Sequence, residues 1–199
     1  MPVEKKLKNN GLLEVVCGPM FSGKSEELIR RLRRAKIAKQ HVLTFKHKID
    51  NRHAIEYVVS HDGNKFSAQP LDNVEQILAI ALENHIDVIG IDEAQFFGNE
   101  LIPVVCTLVE AGKRVIAAGL DLDFRGAPFG CMPILLAIAD KVTKLQAICT
   151  ECGVDAHFTQ RLVNGTPAKH NDPIILVGAQ EAYQARCRGC YSIDKRIVL

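Results

Sequence analysis

Gly18-Pro19-Met20-Phe21-Ser22-Gly23-Lys24-Ser25 fits the phosphate-loop pattern G-x-x-x-x-G-K-S, and what flanks it decides how the rest of the chain is read. Before it stands a short apolar run, Leu12 to Cys17; after it, Lys24 to Gln40 repeats Leu28, Ile29, Leu32 and Ala35 at helical spacing. Strand, glycine loop and helix in that order are the context the pattern needs. By composition alone the pattern arises in roughly one chain of this length in a hundred. Its glycines let backbone N–H groups approach phosphate oxygens, and a helix opening near Lys24 aims its positive dipole end at them. In this reading Gly18, Pro19, Met20, Phe21, Ser22 and Gly23 form the cradle. Lys24 reaches the terminal phosphates, and Ser25 offers its hydroxyl to magnesium.

Asp87-Val-Ile-Gly-Ile-Asp92-Glu93 supplies the partner such a loop needs, an apolar strand with carboxylates at its C-terminal end, where open α/β sheets bind ligands. Asp92 is expected to hold the magnesium, directly or through water. Glu93 is a candidate base: in an ATPase it activates water, in a kinase it takes the proton of a substrate hydroxyl. The plainer alternative is a carboxylate that caps the next helix.

Further runs extend the pattern. Val42 to Phe45 and Arg114 to Gly119 read as strands, Val74 to Leu82 and Leu101 to Glu110 as helices, and Pro133 to Ala139 as a short helix before Lys141 to Ala147. Alternation of this kind predicts an α/β fold of the phosphate-loop, RecA-like type, a mainly parallel sheet covered on both faces. On the helix after the loop, Arg30, Arg31, Arg33, Arg34, Lys36 and Lys39 read as the solvated face opposite the apolar stripe.

The 199 residues suit one domain with at most a small appendage. Lys+Arg 25 against Asp+Glu 23 leaves a formal charge of +2, which argues against a protein held to nucleic acid by phosphate contacts. No apolar run approaches the roughly 18 residues of a membrane span. Met1 to Asn10 lacks the apolar stretch of a signal peptide, so a cytoplasmic location is expected.

Of seven cysteines, Cys17, Cys106 and Cys131 stand alone and are expected to be buried small hydrophobes. Cys149-Thr-Glu-Cys152 and Cys187-Arg-Gly-Cys190 form two C-x-x-C pairs with 34 residues between them. Four thiolates suit one tetrahedral zinc with no open position, a structural site. The interval exceeds the roughly 15 to 20 residues of a compact ribbon, so a long loop tied off at its base by the metal is expected. The division expected is 1–147 for the nucleotide-binding unit and 148–199 for the zinc-binding lid.

Taken in order, Gly18 to Ser25, Asp92-Glu93-Ala-Gln-Phe-Phe97, Gly119-Leu-Asp-Leu-Asp-Phe124-Arg with Pro128-Phe-Gly130, and the two cysteine pairs with Tyr183 before the second resemble the zinc-bearing cytosolic thymidine kinases. The resemblance covers nearly the whole chain. It implies transfer of the γ-phosphoryl of ATP to the 5′-hydroxyl of thymidine, with deoxyuridine as a further acceptor. It also implies a homotetramer, feedback binding of thymidine triphosphate, and a loop that closes over the nucleoside. By the same resemblance Glu93 corresponds to the catalytic carboxylate and Arg52 to an arginine near the reacting phosphate. Met20, Leu120, Phe124, Thr159 and Tyr183 correspond to the thymine and sugar pocket, with Ile174, Ile175, Leu176, Val177 and Gly178 wrapping the base.

The rival reading is a phosphate-loop ATPase whose zinc unit binds nucleic acid or protein. It requires an exposed basic unit with stacking aromatics, for which the C-terminal part offers Phe158, Tyr183 and Tyr191 with Arg161, Lys169, Arg186 and Arg188.

Overall fold

The computed structural model describes residues 11–49, 57–59, 63–83, 85–174 and 181–193. In chain order these form β1 (Leu12–Cys17), α1 (Lys24–Ile37), β2 (Val42–His47), β3 (Tyr57–Val59), β4 (Lys65–Ser67), β5 (Gln69–Leu71), α2 (Glu75–Glu83), β6 (Val88–Asp92), α3 (Leu101–Glu110), β7 (Arg114–Gly119), α4 (Met132–Ile138) and β8 (Lys141–Lys144). A 3₁₀ turn, Ala94–Phe97, follows β6. The first, third and fourth apolar strand runs are strands, and the run expected over 42–45 continues to His47.

Six strands make one wholly parallel sheet in the order β5-β2-β6-β7-β1-β8. β7 therefore separates β1, which leads into the phosphate loop, from β6, which ends in Asp92. That separation is the RecA-like arrangement. It leaves a strand's width between loop and carboxylate at the C-terminal edge of the sheet.

Alternation along each strand sends side chains to two cores. Leu13, Val15 and Cys17 of β1 meet Ile77, Leu101, Val105, Leu108 and Leu135 from α2, α3 and α4. On the other face Val16, Val88, Ile116 and Ala118 meet Leu28, Ile29, Leu32 and Ala35 of α1. Burying each leucine or isoleucine of that stripe contributes about 1.5–3 kcal/mol. The helix sits close because β6 carries Gly90: a Cβ there would lie 3.0 Å from both Leu32 methyl groups.

Arg31 corrects the expectation of a solvated basic face. It is buried, its Nη1 donating to Glu14 Oε2 at 2.7 Å and its Nε to Glu27 Oε1 at 2.8 Å. Arg114 of β7 donates to the other Glu14 oxygen at 2.6 Å. Glu14 lies inside the sheet and cannot stay there as an unpaired charge, so α1 supplies the arginine that neutralises it. Among the remaining basic residues, Arg30 pairs with Glu27 at the surface and Lys36 caps the Phe66 ring at 4.4 Å.

The rest of the chain forms small sheets. β9 (Ala147–Ile148) pairs with β10 (Asp155–Ala156), and β11 (Phe158–Val163) stands between β12 (Thr166–Pro167) and β13 (Glu181–Arg186). β9 spans the division expected between 147 and 148. The 34-residue interval is thus no bare loop. β11 turns into β12 through Asn164 (φ 50°) and Gly165 (φ 78°), both left-handed as a two-residue hairpin requires.

Candidate active site and four-thiolate centre

The phosphate loop closes between β1 and α1 on backbone geometry. Gly18 has φ 144°, and a Cβ there would lie 2.4 Å from Leu145 O. Gly23 is left-handed at φ 81° and starts α1, its carbonyl accepting from Glu27 N at 2.9 Å. Pro19 O collects two donors, Ser22 Oγ at 2.8 Å and Lys24 Nζ at 2.7 Å. Lys24 is thereby folded over the loop that it follows. Phe21 stands exposed at the tip with φ 67°. Met20 donates its N–H to Thr159 Oγ1 at 3.0 Å, linking the loop to β11.

Across β7, Asp92 is buried at the end of β6 and its Oδ2 lies 3.5 Å from Ser25 Oγ. A hydroxyl and a carboxylate brought together at the mouth of a phosphate loop are hard oxygen donors of the kind magnesium takes. Glu93 follows in the left-handed region (φ 52°, ψ 44°), a conformation that costs a non-glycine residue of order 1 kcal/mol or more. The chain turns sharply there, and the buried Glu93 carboxylate accepts from Gln95 Nε2 at 2.6 Å. Sequence reading passed over Gln95, which stood inside a quoted motif with nothing to mark it.

Of the residues expected to line a nucleoside pocket, Met20 with Thr159, and Phe124 beside Arg161, lie where the two parts of the chain meet. Leu120 follows β7 and donates its N–H to Gln95 Oε1 at 3.0 Å. Phe124 is buried in a turn built by Asp123, whose carboxylate accepts from Arg125 N at 2.9 Å and Ala127 N at 3.1 Å. The guanidinium of Arg161, wholly buried, lies 4.3 Å from the Phe124 ring centroid, and its Nη1 donates to Pro173 O at 2.6 Å. Tyr191 donates its hydroxyl to Phe124 O at 2.7 Å and stacks on Phe158 with centroids 4.6 Å apart. Burial, reinforced by Asp123, pushes the Tyr191 phenol up to about 12, so it remains a donor. Thr159 is buried, Tyr183 sits opposite Arg161 on β13, and Ile174 is exposed. Arg52 and the segment Ile175, Leu176, Val177 and Gly178 lie outside the described residues.

Cys149, Cys152, Cys187 and Cys190 converge, with all four sulfurs within 4.8 Å of one another and Cys152 Sγ 3.6 Å from Cys187 Sγ. A tetrahedral zinc with bonds of about 2.3 Å separates its sulfurs by about 3.8 Å, so the donor set and its spacing fit that ion. Turns at each pair aim the thiolates inward: Gly153 N donates to Cys149 O at 2.9 Å and Cys190 N to Cys187 O at 3.2 Å. Of the lone cysteines, Cys17 and Cys131 are buried and burial pushes each thiol up to about 11. Cys106 departs from expectation in being half-exposed on α3.

A RecA-like parallel sheet with a phosphate loop at its C-terminal edge and a four-thiolate unit packed beside it defines a phosphate-loop nucleotide-binding protein of the α/β class. The model of the thymidine kinase family matches residues 11–191, and the chain belongs to that family of deoxynucleoside kinases. A crystal structure of a DNA replication initiation factor is similar at 14% identity and a TM-score of 0.42, over 67% of this chain and 40% of that one. This chain thus spans less than half the length of that protein. Among the described residues no helix is long and apolar enough to cross a membrane.

Proposed function

We propose that the chain is an ATP-dependent thymidine kinase that makes thymidine monophosphate for nucleotide salvage, with deoxyuridine as a second acceptor. The thymidine 5′-oxygen bonds to the γ-phosphorus as the bond to the bridging oxygen of ADP breaks. The hydroxyl proton goes to the Glu93 carboxylate. Ser25 and Asp92 would hold magnesium, which would supply positive charge for the phosphates. Lys24 and the loop amides from Gly18 to Gly23 neutralise the remainder, the dominant requirement of phosphoryl transfer. Arg52 is assigned to the transferring phosphate. Met20, Leu120, Phe124, Thr159, Tyr183 and residues 174–178 are assigned to the nucleoside, and a closed apolar pocket keeps water from the γ-phosphoryl. Structural zinc at the four cysteines, a lid unit beginning near residue 148, a homotetramer, a cytoplasmic location and feedback by thymidine triphosphate complete the reading.

The observation that carries it is the carboxylate of Glu93, held in a strained left-handed turn one residue beyond Asp92 at the mouth of the phosphate loop. The rival ATPase reading keeps Lys169 and Arg188 exposed but has fewer free groups than it needed. Arg161 is buried against Phe124, Tyr191 is tied to the same turn, and Arg186 pairs with Glu151 at 2.7 Å. Glu93→Gln keeps the shape and deletes the base, so thymidine phosphorylation should fall roughly 10²- to 10⁴-fold with ATP and thymidine binding little changed. Nucleoside phosphorylation and free phosphate release are measured side by side. Full phosphorylation by the Gln variant refutes Glu93 as the base, and phosphate release without nucleoside transfer in the parent refutes the kinase.

A further inference from the structure

Gln95 is a buried amide whose two ends are both engaged. Its Oε1 accepts from Leu120 N at 3.0 Å, and its Nε2 donates to Glu93 Oε2 at 2.6 Å. These two bonds decide the amide's orientation together. A backbone N–H can only donate, so the oxygen must face Leu120, and the nitrogen is left for the carboxylate. The side chain thus bridges the end of β6 and the end of β7, two strands that are neighbours in the sheet.

The surroundings are cut to hold this bridge. A Cβ on Gly119, the last residue of β7, would lie 2.5 Å from Gln95 Oε1, and a Cβ on Gly130 would lie 2.3 Å from Gln95 O. Both positions have to be open for the amide to sit where it does. The peptide before Gln95 is pinned as well, Cys131 Sγ donating to Ala94 O at 3.2 Å. Glu93 meanwhile has a left-handed backbone, a conformation that persists only where neighbours over-determine it. A carboxylate on such a turn has rotamers to choose from, and the Gln95 donor selects among them.

We infer that Gln95 is a positioning residue for the phosphoryl transfer: its amide, anchored on Leu120 N, holds the Glu93 carboxylate in the direction from which it takes the substrate proton. The inference rests on the reading of Glu93 as the base. It assigns Gln95 no contact with ATP or thymidine. Because Leu120 is itself assigned to the nucleoside pocket, the same amide joins the wall of that pocket to the group that acts inside it.

Two substitutions separate the ends of the bridge. Gln95→Glu keeps length and an oxygen for Leu120 N while removing the donor to Glu93; Gln95→Met removes both ends and keeps the bulk. A hydrogen bond to a charged group sets the scale of the loss. Both variants should lower kcat by roughly 10- to 100-fold with the KM for ATP unmoved; the KM for thymidine should hold in Gln95→Glu, which keeps the acceptor for Leu120 N, and rise only in Gln95→Met. In a Glu93→Gln background, Gln95→Met should add no further loss, since groups acting through one another are not additive. Gly119→Ala, which intrudes on the amide from the other side, should reproduce part of the fall in kcat. Thermal melting and metal content of each variant confirm that it is folded.

Normal kcat in a folded Gln95→Glu protein overturns the inference, leaving Leu120 as all that the amide serves. An additive loss in the Glu93→Gln background overturns it too, because Gln95 then acts elsewhere than through Glu93. If Glu93→Gln alone phosphorylates thymidine at the parent rate, the base assignment fails and this inference falls with it. A slow Glu93→Gln beside a normal Gln95→Glu sinks this inference alone.

Discussion

The parallel sheet and the four-thiolate unit are held together by different means. The sheet has leucine, isoleucine, valine and phenylalanine on both faces, in two clusters that run its length. The core of the thiolate unit is Ala147, Cys149, Ala156 and Ala185, with Cys187 and Cys190 packed against it. Alanine side chains remove little apolar area from water, and at about 25 cal/mol per Å² that falls far short of the cost of ordering two small sheets. A metal bound by the four thiolates would make up the difference, since at such sites binding free energy is folding free energy. The site is therefore divided between a part held by apolar packing and a part whose shared feature is four converging cysteines. The second part reaches back into the first through Thr159, Arg161 and Tyr191.

Removing the metal is the strongest way to break this contrast. Structural zinc in small units contributes on the order of 10 kcal/mol, so chelation or Cys187→Ala should unfold the thiolate unit and leave the sheet standing. Hydrogen exchange should show protection lost in β9 to β13 and kept in β1, β6 and β7. Uniform loss, or an unaltered protein that contains no zinc, removes the distinction.

The buried ion pairs of the sheet come next. Arg31→Met leaves the buried Glu14 with Arg114 at its other oxygen, and breaking a buried pair of this kind costs about 3–5 kcal/mol. Denaturant unfolding should register that cost while zinc content stays at the parent value. A variant as stable as the parent would mean that the network is dispensable.

Tyr191→Phe tests the seam between the two parts. It deletes the hydroxyl donated to Phe124 O and keeps the ring on Phe158, a loss of about 1 kcal/mol. The KM for thymidine should rise with that for ATP unchanged. Equal change in both would place the effect in the fold and not at the seam.

The smallest effect is on acid stability. Hydrogen bonds from Arg30, then from Arg31, hold the Glu27 carboxyl at about 2, below its ordinary 4.5. A carboxylate depressed by folding contributes stability that is complete above its unfolded value and is lost as pH falls through the folded one. Glu27→Gln should flatten the fall in stability of the sheet between about pH 4.5 and 2. An unchanged acid limb would show that the pairs at this surface contribute nothing net.

Much of this protein could be read along the chain because its signals are local. The phosphate loop needs glycines at fixed offsets between a strand and a helix. Apolar periodicity marks which segments alternate and which repeat every three or four residues, and α3 and β7 fall where it put them. The thiolates declare a tetrahedral site by type and spacing alone. One local signal went unread: Asn164-Gly165 marks the β11–β12 hairpin inside what looked like a long loop.

Other features depended on residues far apart in sequence. Arg31 looks like its basic neighbours on α1 until Glu14 and Arg114, a hundred residues apart, meet it in the sheet interior. Gln95 looks like a spacer until the parallel pairing of β6 and β7 brings Leu120 N within 3.0 Å of it. The sequence by itself determined most strands and helices of the parallel sheet and its covering layers, the place of the phosphate-loop motif and which sulfurs meet. Only the tertiary structure decided which charges are buried and which side chain clasps the carboxylate of Glu93. Periodicity records whether a face is apolar, but a polar group's partner is set by strand order, and strand order follows from packing over the whole sheet.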